Sequence, residues 1–345
     1  MKAQVLMGKN KIEYVERSIT KPSETELIVK VEYCGICGTD IHCYKSGILV
    51  PADTVLGHEI TGTIFETGSA VKNFTKGQRV VINPIPRCGI CYWCKKGQYV
   101  LCPEGLKNEI GLTRENDGGF AEFVKVKFPD EMLHVLQDNV SFEDAALVEP
   151  LATSLHAVKM SRSVNGANIL VVGAGMIGLG IINFLKIKGA AKIIVSEISS
   201  EKRKLAQLLG ADITINPVNE KDNMMEKIDK ETKGVGADIV FECSGQQSAF
   251  KFAINSVKKG GQIIIVGFGE NNIPLNLLEI ILKEIELKAI LGYYDDFKSV
   301  IEYLGKKLIK TDLLINDIIS LKHLEKEGFL RLINSPDLVK ILVKP

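Results

Sequence analysis

Four cysteines, Cys88, Cys91, Cys94 and Cys102, fall at C-x2-C-x2-C-x7-C spacing in a loop that also holds Pro84, Pro86, Gly89 and Gly97. Four thiolates this close can surround one zinc tetrahedrally, and a closed set of four leaves no position for water or substrate, so a structural metal is expected. An iron–sulfur cluster takes the same ligand count, but the spacing differs from ferredoxin runs and nothing else in the chain points to electron transfer. A more dispersed set lies in Cys34-Gly35-Ile36-Cys37-Gly38-Thr39-Asp40-Ile41-His42, Gly57-His58-Glu59 and Val148-Glu149-Pro150. Thiolate, imidazole and carboxylate together suit a zinc that keeps one coordination position open, as catalysis needs. Cys34 and Cys37 also form a C-x-x-C, although no thioredoxin-like βαβ pattern surrounds them. Cys34, Cys43 and Cys243 have no ligand spacing and read as buried thiols.

A third constellation addresses a nucleotide. Ile169 to Val172 reads as a buried strand, followed by Gly173-Ala174-Gly175-Met176-Ile177-Gly178 and an apolar helical run. In G-x-G-x-x-G, Gly173 permits the tight turn, Gly175 lets the backbone approach a pyrophosphate, and Gly178 lets helix and strand pack closely. The helix N-terminus, opening at Met176 and Ile177, then faces the phosphates. Glu197, at the end of the next strand, is placed to accept from a ribose hydroxyl and to repel the extra phosphate of NADP, which favours NAD. Lys202 and Arg203 lie close by in sequence and bear on that preference.

These groups need two kinds of scaffold. The first 150 residues read as short strands broken by Gly, Pro and Asp turns, such as Leu27 to Val31 and Gln78 to Ile82. From Ala167 to Tyr294, apolar β runs alternate with amphipathic stretches, the pattern of a buried parallel sheet. The segment after Asp295 holds helical stretches and a closing strand from Lys340, too little for a third core, and is expected to pack back on the first domain. At 345 residues, 46% hydrophobic and 25% charged, the chain suits two globular domains. Forty-three basic and 42 acidic side chains nearly cancel, which argues against nucleic acid or an anionic membrane as partner. The N-terminus turns polar at Gly8-Lys9-Asn10-Lys11, too soon for a signal peptide core, and Ile177 to Ile187 is broken by Asn183 and Lys186. A cytoplasmic location is expected, and with it metal-binding rather than disulfide-bonded cysteines.

In this order the motifs resemble the zinc-containing medium-chain dehydrogenase/reductase family over essentially the whole chain. The resemblance rests on Cys37-Gly38-Thr39-Asp40, Gly57-His58-Glu59, the four-cysteine lobe, Asp117-Gly118-Gly119-Phe120-Ala121-Glu122, Glu149-Pro150 and the glycine motif. It implies an α/β protein: a GroES-like, mostly β catalytic domain over 1–152 and 295–345, and a Rossmann doubly wound parallel-sheet domain over 153–294. It also implies two zinc ions per chain, NAD, and a homodimer or homotetramer. Cys37 and His58 carry over as ligands of the catalytic zinc, with Glu59 or Glu149 supplying the carboxylate and the other binding through water. Thr39 and His42 carry over as a proton relay, against the alternatives that Thr39 caps a helix and His42 is an ordinary surface residue. Glu149 where classical alcohol dehydrogenases carry a cysteine, and the tail from Glu327-Gly328-Phe329 to Pro345, look most like polyol and 2,3-butanediol dehydrogenases.

The activity so implied is hydride transfer between NAD(H) and a secondary alcohol or ketone, with a polyol or vicinal diol as substrate. Alternatives are L-threonine, a sugar-alcohol phosphate of the galactitol type, and a member that binds nucleotide without catalysis; intact Cys37, His58, Glu59 and Glu149 argue against the last. Tyr44 and Phe120 line the substrate cleft or belong to the core. Lys45 meets a phosphorylated substrate or is a surface charge.

Overall fold

The computed structural model describes residues 1–47, 50–220, 222–269 and 272–345. Eight strands come first: β1 (Lys2–Gly8), β2 (Lys11–Glu16), β3 (Leu27–Gly35), β4 (Thr54–Val55), β5 (Glu59–Thr67), β6 (Arg79–Ile82), β7 (Phe123–Val126) and β8 (Leu133–Val135). Six follow: β9 (Asn168–Val172), β10 (Lys192–Ser196), β11 (Ile213–Ile215), β12 (Ala237–Glu242), β13 (Val257–Ile265) and β14 (Glu286–Ala289). Two more, β15 (Ile315–Ser320) and β16 (Lys340–Lys344), close the chain. Contacts divide it into two compact units, Met1–Glu149 with Tyr294–Pro345, and Pro150–Tyr293.

In the first unit the larger sheet runs β15-β16-β3-β5-β6-β8, with β7 also pairing β3, and a small sheet runs β2-β1-β4. Strand β3 is central, so its apolar residues Leu27, Ile28, Val29 and Val31 are all buried. Its neighbours are antiparallel on both sides: Gly35 sits opposite Glu59 of β5 and opposite Leu342 of β16. The C-terminal strand is thereby built into the N-terminal sheet. Val29, Ile60, Val80, Phe120, Phe329 and Ile341 belong to the same buried cluster.

The second unit is a single sheet in the order β11-β10-β9-β12-β13-β14 with every pairing parallel. The sequence order reverses between β9 and β12, the switch point at which doubly wound sheets bind nucleotides. Its strands are continuous apolar runs because helices cover both faces, as in Leu170, Ile194, Val240 and Ile263. Among the described residues no helix is long and apolar enough to cross a membrane.

His134 of β8 stacks on Phe297, with ring centroids 5.2 Å apart and planes at 27°. Burial, aided by Lys298 and Arg87 and opposed by Asp295, holds its imidazole down at about 4. The fold therefore carries a neutral ring that the unfolded chain protonates near its ordinary value of about 6.5. Stability is unaffected above that value and falls as pH drops from it towards 4, where the folded form also charges. Denaturant titrations between pH 7 and 4 should show a decline that His134→Gln reduces by roughly 1–3 kcal/mol; parallel curves for the two proteins would contradict it.

Candidate active site and metal centres

Cys37 ends β3's exit turn and caps the helix Gly38–Ser46: its Sγ accepts from the Thr39 amide at 3.5 Å, while Asp40 Oδ2 accepts from the Cys37 amide at 2.9 Å. This is a capping box with a thiol in the usual hydroxyl position. The cap is therefore Cys37, and not Thr39 as one alternative reading of the sequence had it. Asp40 is fully buried, and its other oxygen accepts from the Gly57 amide at 3.2 Å and stands 3.6 Å from His58 Nδ1. One carboxylate so ties the Cys37 turn to the His58 turn. The buried Nδ1 of His58 has no hydrogen-bond partner. Burial pulls this imidazole down, yet the charges of Asp40 and Cys37 outweigh it and hold the ring well above its ordinary range.

Glu59 follows His58 directly and opens β5. Its two carboxylate oxygens accept from Lys340 Nζ of β16 at 2.6 Å each, and Lys340 also donates to Ile36 O at 2.8 Å. Side-chain exposure is 3% for Lys340 and nil for Glu59, so the pair is desolvated. The strand between them supplies the opening: a Cβ on Gly35 would sit 1.9 Å from Glu59 Oε2. Only glycine at 35 lets the carboxylate cross β3 to the lysine. Glu149, the last residue of the first unit's N-terminal segment, keeps part of its surface open. Burial, reinforced by Glu59 and Glu109 and opposed by His58 and Lys340, pushes its carboxyl up to about 7. Thiol, imidazole and carboxylate are donor types that zinc takes, but among the described residues these groups do not converge to within 4.8 Å of one another.

The four-cysteine loop is drawn together more tightly. The sulfurs of Cys88, Cys91, Cys94 and Cys102 all lie within 4.8 Å of one another, and among the described residues this is the group of potential metal ligands that closes to that distance. No disulfide joins them. The amides of Ile90 and Cys91 pull the Cys88 thiol down to about 6, whereas burial pushes Cys94 up to about 12. Converging sulfurs and amides directed at them are what a structural zinc requires.

In the second unit, Gly173 has φ +94°, and a Cβ on Gly178 would sit 2.0 Å from Gly173 O, so the turn and the helix Met176–Ile187 are packed as closely as the motif implies. Gly175 caps that helix with no side chain over its N-terminus. Glu197 accepts from the Ala174 amide at 2.7 Å and the Ser199 amide at 2.9 Å, which joins the end of β10 to the glycine turn. Each oxygen retains a lone pair for a hydroxyl donor. Arg203 is turned onto the carbonyls of Glu197 and Ile198, at 2.8 Å each.

Thr39 Oγ1 lies 3.6 Å from Cys37 Sγ. His42 is exposed on the same helix, three residues on. Tyr44 and Phe120 belong to the core, both with their rings against Phe329, and Tyr44 donates to Glu325 at 2.8 Å. Lys45 is exposed. Sequence reasoning missed Asp40 as the brace between the two turns and Lys340 as the partner of Glu59. The capping-box spacing was a signal for the first; a partner 281 residues away left none for the second.

Residues 177–306 match the zinc-binding dehydrogenase family and residues 23–138 the alcohol dehydrogenase GroES-like domain. Sorbitol dehydrogenase of Bacillus subtilis (strain 168) is 32% identical over 350 residues, covering 100% of this chain and 97% of its own. The (R,R)-butanediol dehydrogenase of the same organism is 36% identical over 347 residues, covering 97% and 96%. The crystal structure of 2R,3R-butanediol dehydrogenase from Bacillus subtilis superposes with a TM-score of 0.91 at 35% identity, over 100% of this chain and 99% of that one.

Removing one sulfur from the closed set should release its metal. Cys94→Ser is expected to lower the zinc content by about one ion per chain and to reduce thermal stability, because a structural zinc supplies folding free energy. Unchanged zinc by elemental analysis would show that the four sulfurs hold none.

Proposed function

We propose a polyol or vicinal-diol substrate for this chain, which belongs to the zinc-containing medium-chain dehydrogenase/reductase family. It is a zinc-dependent, NAD(H)-linked oxidoreductase of a small alcohol or ketone. The observation that carries the finer reading is Glu149, a carboxylate under the influence of His58 and Glu59 at the place where the resemblance puts a cysteine in classical alcohol dehydrogenases. Full-length likeness to enzymes named for sorbitol and butanediol supports it.

In this reading each chain holds two zinc ions, one on the four cysteines and one at Cys37 and His58. Lys340 occupies both oxygens of Glu59, so Glu149 supplies the ligand carboxylate and Glu59 sets the charge behind it. Zinc there supplies Lewis acidity that lowers the pKa of an alcohol and polarises a ketone, and NAD supplies the hydride acceptor. Asp40 holds the Cys37 and Gly57 amides and with them the orientation of both ligands. The Thr39 hydroxyl would accept the alcohol proton while passing its own on by way of the nicotinamide ribose, and His42, exposed on the same helix, would take that proton and release it to water. Gly173, Gly175, Met176, Ile177 and Gly178 seat the pyrophosphate, and Glu197 accepts from the ribose; Arg203, committed to two carbonyls, braces that loop.

The partner in assembly is a second copy. The helix Leu277–Leu282 exposes Leu277, Leu278, Ile281 and Leu282, and β14 ends its sheet with one edge pairing no other strand among the described residues. An apolar face beside an open sheet edge is the surface that homodimers cover. Ile281→Glu with Leu278→Glu should shift the sedimentation coefficient to that of a smaller species; a wild-type monomer would refute the assembly.

The substrate reading is tested by following NADH absorbance with sorbitol, xylitol, 2,3-butanediol, galactitol phosphate and L-threonine. Turnover of a polyol or diol, loss of it on chelation or in Glu149→Gln, and a His42→Ala rate at neutral pH lowered by about 10²-fold and partly restored by small bases are expected. Turnover of threonine or the phosphate alone, or full activity in verified zinc-free protein, would overturn it.

A further inference from the structure

Ser154 lies in the second unit with none of its surface exposed, and the mechanism above does not use it. It belongs to the helix Val148–Met160, where its hydroxyl has two acceptors: Pro150 O of the same helix at 3.0 Å and Ile177 O at 3.1 Å. A hydroxyl carries one proton, so the two carbonyls share it. The contact with Pro150 O is the ordinary back-bond of a serine to the carbonyl four residues earlier in a helix. The contact with Ile177 O reaches the first turn of a different helix, Met176–Ile187, which follows the glycine motif. Glycine at 180 makes the approach possible, since a Cβ there would sit 2.3 Å from Ser154 Oγ.

The carbonyl of Ile177 and the amide of Gly178 are two ends of one peptide unit. That amide is one of three at the start of the helix, those of Met176, Ile177 and Gly178, that donate to no acceptor among the described residues; Leu179 is the first to bond, to Gly175 O at 2.9 Å. Gly175 places no side chain over them. Open amides at a helix start are donors for an anion. A hydrogen bond to the oxygen of a peptide draws electron density from its N–H and strengthens that N–H as a donor. Ser154 therefore acts on the open amides from behind, through the Ile177–Gly178 peptide.

We propose that Ser154 is a positioning residue of the cofactor seat: its hydroxyl holds and polarises the Ile177–Gly178 peptide, so that the Gly178 amide binds the cofactor pyrophosphate more tightly. The proposal rests on the reading of Gly173 to Gly178 as a dinucleotide site. It deepens that reading by assigning part of the cofactor affinity to a fully buried side chain of another helix. A ligand without phosphate makes no use of the Gly178 amide and gains nothing from Ser154.

The test uses zinc-loaded full-length protein, with wild type, Ser154→Ala and Leu151→Ala. Alanine at 154 removes the hydroxyl and favours the helix. Leu151 is buried against the same neighbour, its Cδ2 3.3 Å from where a Cβ of residue 180 would sit, so Leu151→Ala loosens the packing of the two helices and leaves the hydroxyl in place. NADH binding is followed by fluorescence, and ADP-ribose and adenosine by their displacement of NADH. Ser154→Ala should raise the Kd of NADH and of ADP-ribose by about three- to tenfold, the effect of one hydrogen bond, and leave adenosine within about twofold. Leu151→Ala should lower the melting temperature more than Ser154→Ala does, yet keep all three affinities within about twofold. Unchanged binding of NADH and ADP-ribose by Ser154→Ala, an equal loss on adenosine, or the same loss in Leu151→Ala would overturn the proposal while leaving the cofactor site standing. Wild-type protein that binds neither NADH nor ADP-ribose would overturn the dinucleotide reading and the proposal with it.

Discussion

The buried pair of Glu59 and Lys340 is the constraint around which the first unit is organised. Two opposite charges withdrawn from water lose most of their hydration, and their attraction offsets that loss only when geometry is close and the remaining lone pairs and protons are satisfied. Both conditions hold: Lys340 meets both carboxylate oxygens and uses a further proton on Ile36 O. Such a pair contributes little net stability, but losing one member leaves an uncompensated charge at a cost of about 3–5 kcal/mol. Its value is positional. It fixes the order of β5, β3 and β16 at one end of the sheet, requires glycine at 35, and holds a carboxylate beside the histidine that precedes it.

The four cysteines and the residues proposed as the reaction centre differ in how they are assembled. Four cysteines within one loop close on one another through short-range turns and local amide contacts, so little chain entropy separates the loop from its binding geometry. Cys37, His58 and Glu149 come from three distant segments and do not converge to the same degree. Asp40 compensates by bonding two of those segments at once. A closed set suits a structural ion.

What could be read from the sequence follows the range of the interactions. The alternating apolar runs announced the parallel sheet, and the glycine spacing announced the turn at Gly173, because both are set by neighbours a few residues apart. The cysteine spacing was informative for the same reason. Tyr44 and Phe120, readable either as cleft or as core, proved to be core; a ring's surroundings depend on Phe329, far along the chain. Lys340 read as the polar start of an apolar strand. Its ion pair leaves no trace in local pattern, since it arises only when β16 is in place beside β3.

The dependence of Glu59 on Lys340 also sets a timetable. On the ribosome, β3 and β5 emerge early, the whole parallel-sheet unit is made next, and β16 comes last. Glu59 is without its cation throughout that interval. The unit begun first is thus finished second, and it stays open until β16 is made. A chain interrupted or clipped ahead of β16 keeps every residue of the nucleotide-binding sheet yet lacks the strand that seals the other unit. Synthesis of β16 is, in effect, the step that closes the unit begun first.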